Sequence, residues 1–67
     1  MRTFTITTDA ISAKIEATCG DHAARRFAAS ERIVGVTDCA SLCDYYGQIG
    51  GSVRIVDADG ILLCRVV

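Results

Sequence analysis

"SVRIVDADGILLCRVV" (residues 52–67) sets two apolar runs on either side of Asp57, Ala58, Asp59 and Gly60. Aspartate at the start of a turn bonds the backbone two residues on, and glycine at its end accepts the left-handed conformation. The stretch therefore predicts a β-hairpin closed by a type I turn with a glycine bulge. Pairing Asp57 with Ile61 puts Val56 opposite Leu62, Ile55 opposite Leu63 and Arg54 opposite Cys64. Strand side chains alternate between faces. One face is then expected to carry Val53, Ile55, Ile61, Leu63 and Val67, and the other Val56, Leu62, Cys64 and Val66. Both faces read apolar. A thin layer of helices covers one of them, so the second face, Val56, Leu62, Cys64 and Val66, is the expected interface of a homodimer. The alternative is a sheet that curls around its own core.

The N-terminal third repeats the hairpin logic. In "TFTIT" (residues 3–7) Phe4 and Ile6 share a face against threonines, and in "ISAKIEAT" (residues 11–18) Ile11, Ala13, Ile15 and Ala17 alternate with Ser12, Lys14, Glu16 and Thr18. Two half-buried strands joined at Thr8, Asp9 and Ala10 follow from this period of two.

Between the two hairpins the period changes. "CGDHAARRFAASER" (residues 19–32) favours helix, with Asp21 as N-cap and Ala23, Ala24, Phe27 and Ala28 as a narrow stripe that can lie close to a sheet. Arg25 and Arg26 stand beside that stripe. Residues 32–36, "RIVGV", break the pattern at Gly35, and Ile33, Val34 and Val36 cap the core or add a short strand. A second helix begins at Thr37 or Asp38. Cys39, Leu42, Cys43 and Tyr46 share its inner face, while Asp38, Ser41, Asp44, Tyr45 and Gln48 look elsewhere, and Gly47, Gly50 and Gly51 end it. The expected fold is one α+β domain over residues 1–67, ordered β-β-α-α-β-β, with a four-stranded antiparallel sheet and two short helices on one face.

Size and charge bound the function. A chain of 67 residues hides only roughly 60% of its unfolded surface, so its core is marginal. Seven basic and eight acidic residues leave a net charge of −1, without the basic excess that direct nucleic-acid binding needs. Residues 37–59 carry Asp38, Asp44, Asp57 and Asp59 against Arg54 alone, a modest acidic patch. The opening "MRTFTITTDA" lacks the continuous apolar core of a secretory signal, and no apolar run is long enough to cross a membrane. The bacterial cytoplasm is the expected setting, where the four cysteines default to reduced thiols.

The chemistry-bearing residues are few. Cys19-x2-His22 and Cys39-x3-Cys43 offer four ligands of zinc's preferred types, the basis of an alternative reading as a small structural-zinc module. Against it, Cys39 and Cys43 fall one helical turn apart on the apolar stripe, where thiols behave as small hydrophobes. No basic neighbour favours a thiolate, and the lone His22 has no acid and nucleophile arrayed with it. No cofactor motif is present, and no enzyme activity is expected. One of Tyr45 and Tyr46 is expected to cover the core and the other to stand near the surface.

"TFTITTD", "ISAKIEAT" and "AARRFAAS" together resemble the start of short proteins of prophages and mobile elements, and the size and pattern are similar to anti-CRISPR proteins. That resemblance implies a non-enzymatic inhibitor that binds a protein partner, such as a CRISPR effector complex, and blocks it sterically. The expected partner-binding residues are Asp38, Asp44, Tyr45 and Gln48 on the second helix, Asp57 and Asp59 in the turn, and Arg25 and Arg26. A regulatory or toxin-antitoxin component is the third class the sequence leaves open.

Overall fold

A computed structural model describes residues 1–66, and the face expected for Val67 lies outside the described residues. Strands β1 (Arg2–Thr8) and β2 (Ser12–Ala17) form the first hairpin, helices α1 (Gly20–Ser30) and α2 (Cys39–Gln48) follow, and β3 (Val53–Val56) and β4 (Leu62–Val66) form the second. β1 and β3 pair antiparallel at the centre, giving the sheet order β2-β1-β3-β4. The fold is the expected α+β domain, and β2 and β4 are its two edges.

Alternation in β1 and β2 places Phe4 opposite Ile15 and Ile6 opposite Ala13 on the helix-covered side. Phe4 and Ile6 are fully buried. The Thr8 hydroxyl closes the turn by accepting from the Ala10 and Ile11 N–H groups at 3.2 Å each. That turn takes Ile11 out of the inner face to which alternation assigned it, and it is exposed. Alanines let α1 lie close to the sheet: Ala23, Ala24 and Ala28 are buried with Phe27, and α1 packs on β2 while α2 packs on β4.

The helix ends depart from expectation at one position and repeat one device at two. Cys19, not Asp21, is the N-cap of α1, because the Asp21 carboxylate accepts from the Cys39 N–H at 3.0 Å and so satisfies a donor at the start of α2. The C-termini both close with an N–H bonded five residues back, Ile33 to the Ala28 carbonyl and Gly51 to that of Tyr46, each at 2.8 Å. This closure needs a left-handed residue. Gly50 (φ 74°) supplies it after α2, whereas after α1 it is Arg32 (φ 59°), a strained choice for a residue with a Cβ.

The second hairpin corrects the expected register. The turn forms as read: the Asp57 N–H donates to the Ile61 carbonyl at 2.9 Å, Gly60 has φ 81°, and Val56 pairs with Leu62. A bulge at Leu63 then shifts the ladder, so that Ile55 pairs with Cys64, Arg54 with Arg65 and Val53 with Val66. One inserted residue exchanges the faces of everything beyond it. Cys64 and Val66 therefore pack against the core, and of the expected dimer face Val56, Leu62, Cys64 and Val66 only Val56 and Leu62 remain outside. Leu63 instead reaches Gly20, where a Cβ would stand 2.6 Å from a Leu63 methyl. The outer side of the hairpin is not apolar throughout, because Arg54 and Arg65 share it.

The inward turn of Cys64 brings its sulfur to Cys43, with which it forms a disulfide between α2 and β4. Cys19 and Cys39 are free thiols. Cys64 Sγ also lies 3.4 Å from the Cys39 carbonyl oxygen, the acceptor available to it as a thiol.

Candidate protein-interaction surface

The buried stripe of α2, Leu42 and Cys43 flanked by Cys39 and Tyr46, is the one the helical period predicts. Rotating it inward turns Asp44 and Gln48 to solvent and leaves Tyr45 half-exposed. The Tyr45 and Tyr46 rings meet edge to face, with centroids 5.2 Å apart and planes at 89°. Tyr46 packs against the core, and burial raises its phenol pKa; Tyr45 is the surface member of the pair.

The connector between the helices completes this surface. Ile33 and Val36 pack against the core, and Gly35 takes φ 85° between them. Val34 is thereby turned out, 92% exposed, the most exposed large apolar side chain among the described residues. Val34 and Val36 join Asp44, Tyr45 and Gln48 around a depression of about 250 Å³. An aromatic, two valines, a carboxylate and an amide so placed offer an apolar centre with a polar rim, the composition of a protein-binding patch.

The other expected contact residues have different employment. The Asp38 carboxylate accepts from the Ser41 N–H at 2.8 Å, while the Ser41 hydroxyl accepts from the Asp38 N–H at 3.0 Å, a reciprocal cap that starts α2. Asp57 accepts from the Asp59 and Ile61 N–H groups at 2.9 Å each, so its carboxylate builds the turn. Asp59 is exposed and lies 3.4 Å from the Arg2 guanidinium, which ties the turn to the start of β1. Arg25 donates to the Thr37 carbonyl at 3.0 Å and anchors the connector, whereas Arg26 is exposed with no hydrogen bond or ion pair among the described residues. Asp44, Tyr45 and Gln48 are thus brought together with Val34. The turn aspartates do not line that depression.

The four residues of the zinc reading do not converge. Among the described residues no three His, Cys, Asp or Glu side chains are placed to hold a metal. His22 Nδ1 accepts from the Thr18 N–H at 3.1 Å, and Cys43 is bonded to Cys64. Burial, reinforced by a hydrogen bond from the thiol to Asp21, pushes Cys39 up to about 11. It is therefore a protonated thiol at neutral pH, a poor nucleophile and a poor metal ligand.

Hydrogen bonds hold the pKa of two carboxylates, Asp38 and Asp9, below the ordinary value. The Ser41 backbone N–H, then its side chain, lowers the Asp38 pKa below 3.8. Asp9 is likewise lowered by the Ser52 hydroxyl at 2.6 Å and the Ser52 N–H at 3.0 Å, a link from the first turn to the start of β3. A folded pKa below the unfolded one stabilises fully above the unfolded value and is lost as pH falls through the folded value. Asp38→Asn keeps a capping oxygen without the charge. Its melting temperature is expected to stay within roughly 5 °C of the parent's at neutral pH, with a shallower fall on acidification below pH 3.8. Identical acid profiles for the two proteins, followed by circular dichroism, would show that the cap is not formed.

Comparison with protein-family models, with curated proteins and with solved structures finds no match to this chain. Among the described residues no helix is long and apolar enough to cross a membrane. Sequence reasoning placed Asp44, Tyr45 and Gln48 on the outer edge but missed Val34. The available signal was Gly35, which lets the chain reverse between one inward valine and one outward valine.

Proposed function

We propose that this chain is a non-enzymatic protein-binding module that acts by occupying a partner's surface, as an anti-CRISPR-like inhibitor blocks a nuclease or surveillance complex in the bacterial cytoplasm. The observation that carries the binding reading is Val34, 92% exposed beside the half-exposed Tyr45. A valine kept in water by a fixed connector gains by burial in a complex, and tyrosine is a frequent anchor of such contacts. Asp44 and Gln48 form the polar rim that sets orientation. The inhibitor class rests on the resemblance of the N-terminal segments and on the economy of the domain.

The partner is identified by capture with the tagged chain from its host, and the contact is then measured with purified components. Val34→Glu and Tyr45→Ala change side chains outside the core, so circular dichroism should match the parent's. Each is expected to weaken binding by at least about tenfold, the scale of an anchor residue. Release of a CRISPR nuclease from inhibition should follow the loss of binding. Parent-like affinity in both variants would move the contact off this surface. Binding that persists without any effect on a nuclease would remove the inhibitor class and leave a regulatory or toxin-antitoxin role.

A further inference from the structure

The sheet face opposite the helices carries a second, chemically different surface. Its outward residues form rows across the strands: Ser12, Thr7, Arg54 and Arg65 in one, Lys14, Thr5, Val56 and Leu62 in the next, Glu16 and Thr3 in the third. Three cations against one anion give this face +2 in a chain of net charge −1, so the remainder carries −3. Its charge is concentrated at one point, because Arg54 and Arg65 are directly paired. Like charges directly opposite across a ladder destabilise it.

Among the described residues neither arginine makes an ion pair. The ion pairs among the described residues are those of Arg2 with Asp57 and Asp59. Asp21 and Asp38 line a separate depression with Arg65, where their carboxylates are hydrogen-bonded to the Cys39 and Ser41 N–H groups, and Asp9 is hydrogen-bonded to Ser52. The two arginines line a depression of about 290 Å³ with Thr7, Thr8 and Ser52. Two forked guanidinium groups side by side match a compact dianion.

We propose that the paired Arg54 and Arg65 bind the phosphate of a phosphorylated side chain in an extended peptide laid along β4. Two observations select a phosphopeptide. β4 is an edge strand whose outer side is unpaired, and the exposed Ile61, Leu62 and Leu63 adjoin it, so a peptide strand can add to the sheet with alternate side chains held on its surface. The face has no aromatic on which bases could stack, and three cations make too small a footprint for a nucleic-acid backbone. The site lies on the other side of the sheet from Val34 and Tyr45 and is independent of the function proposed for them.

The test is an NMR titration of the ¹⁵N-labelled chain with inorganic phosphate, then with a short valine-flanked phosphoserine peptide, its unphosphorylated form and a single-stranded oligonucleotide. Saturable shifts are expected at Arg54, Arg65 and along β4 with the phosphopeptide, and at Arg54 and Arg65 alone with phosphate. The unphosphorylated peptide should bind at least about tenfold more weakly, as should Arg65→Gln with the phosphopeptide. Arg54→Gln and Arg65→Gln relieve the like-charge pair, so each should melt at or above the parent's temperature while losing phosphate binding. A melting temperature below the parent's in both variants would make the pair structural and overturn the proposal. So would equal affinity for the two peptides, shifts that do not saturate, or an oligonucleotide that binds more tightly than the phosphopeptide.

Discussion

Phe27→Ala is expected to leave the domain largely unfolded at room temperature or to lower its melting temperature by roughly 12–40 °C. Phe27 is 1% exposed and shares a core with Phe4, Ile6, Leu42, Val53 and Ile55. Truncating a buried phenylalanine costs about 3–5 kcal/mol, whereas a domain of this length has about 3–10 kcal/mol in total. Its neighbours on the helix face are Ala23, Ala24 and Ala28, which have no spare side-chain length to refill the space. Urea denaturation of parent and variant measures the loss. A melting temperature within about 5 °C of the parent's would mean that α1 does not rest on the sheet through this ring.

Reduction of the Cys43–Cys64 bond is the second large effect. The bridge spans 21 positions of sequence, for which constraint of the unfolded chain contributes about 3 kcal/mol. Oxidised protein should therefore melt roughly 12–24 °C above protein held in reductant. Alkylation reports the pairing independently. Exposed Cys19 should react first and Cys39 slowly, its thiol being partly buried and pushed up to about 11. Cys43 and Cys64 should react only after reduction. Cys43→Ala with Cys64→Ala should abolish the difference between oxidised and reduced melting, while Cys19→Ala with Cys39→Ala should preserve it. Four reactive thiols in unreduced protein, with no change in melting on reduction, would contradict the bridge. In the reducing cytoplasm proposed above the two sulfurs stand as neighbouring thiols.

These two expectations draw on different levels of legibility. Phe27 could be placed in the core from its neighbours in sequence, because helical period and alanine spacing are local properties. The same holds for the inner face of α2 and for the Asp57 turn, whose hydrogen bonds close within four residues. Cys43 was read correctly as inward, but its partner was not. Cys64 had been assigned to the outer face because strict alternation was carried through position 63, where a bulge intervenes. No local signal marks that bulge. It satisfies two distant demands, a leucine against Gly20 and a sulfur against Cys43.

The candidate surfaces divide in the same way. Asp44, Tyr45 and Gln48 followed from the period of α2. Asp38 and Asp57 looked equally available but are engaged with backbone donors, Asp38 at Ser41, and Asp57 at Asp59 and Ile61. Val34 became part of the surface only through the left-handed turn at Arg32 and Gly35. The paired Arg54 and Arg65 became visible only once the shifted register put them side by side.

By itself the sequence determined the element order, both turns, the inward stripes of both helices and the inner face of the first hairpin apart from Ile11. Each depends on residues within one or two turns of chain, where backbone preference and hydrophobic period act directly. Tertiary structure alone decided the strand order, the Leu63 bulge and the Cys43–Cys64 pairing. Those depend on contacts between residues 21 to 57 positions apart, such as Cys43 with Cys64 and Arg2 with Asp59. Such contacts form only when packing of the whole chain outweighs local alternation, and a single displaced residue then exchanges the faces of a strand.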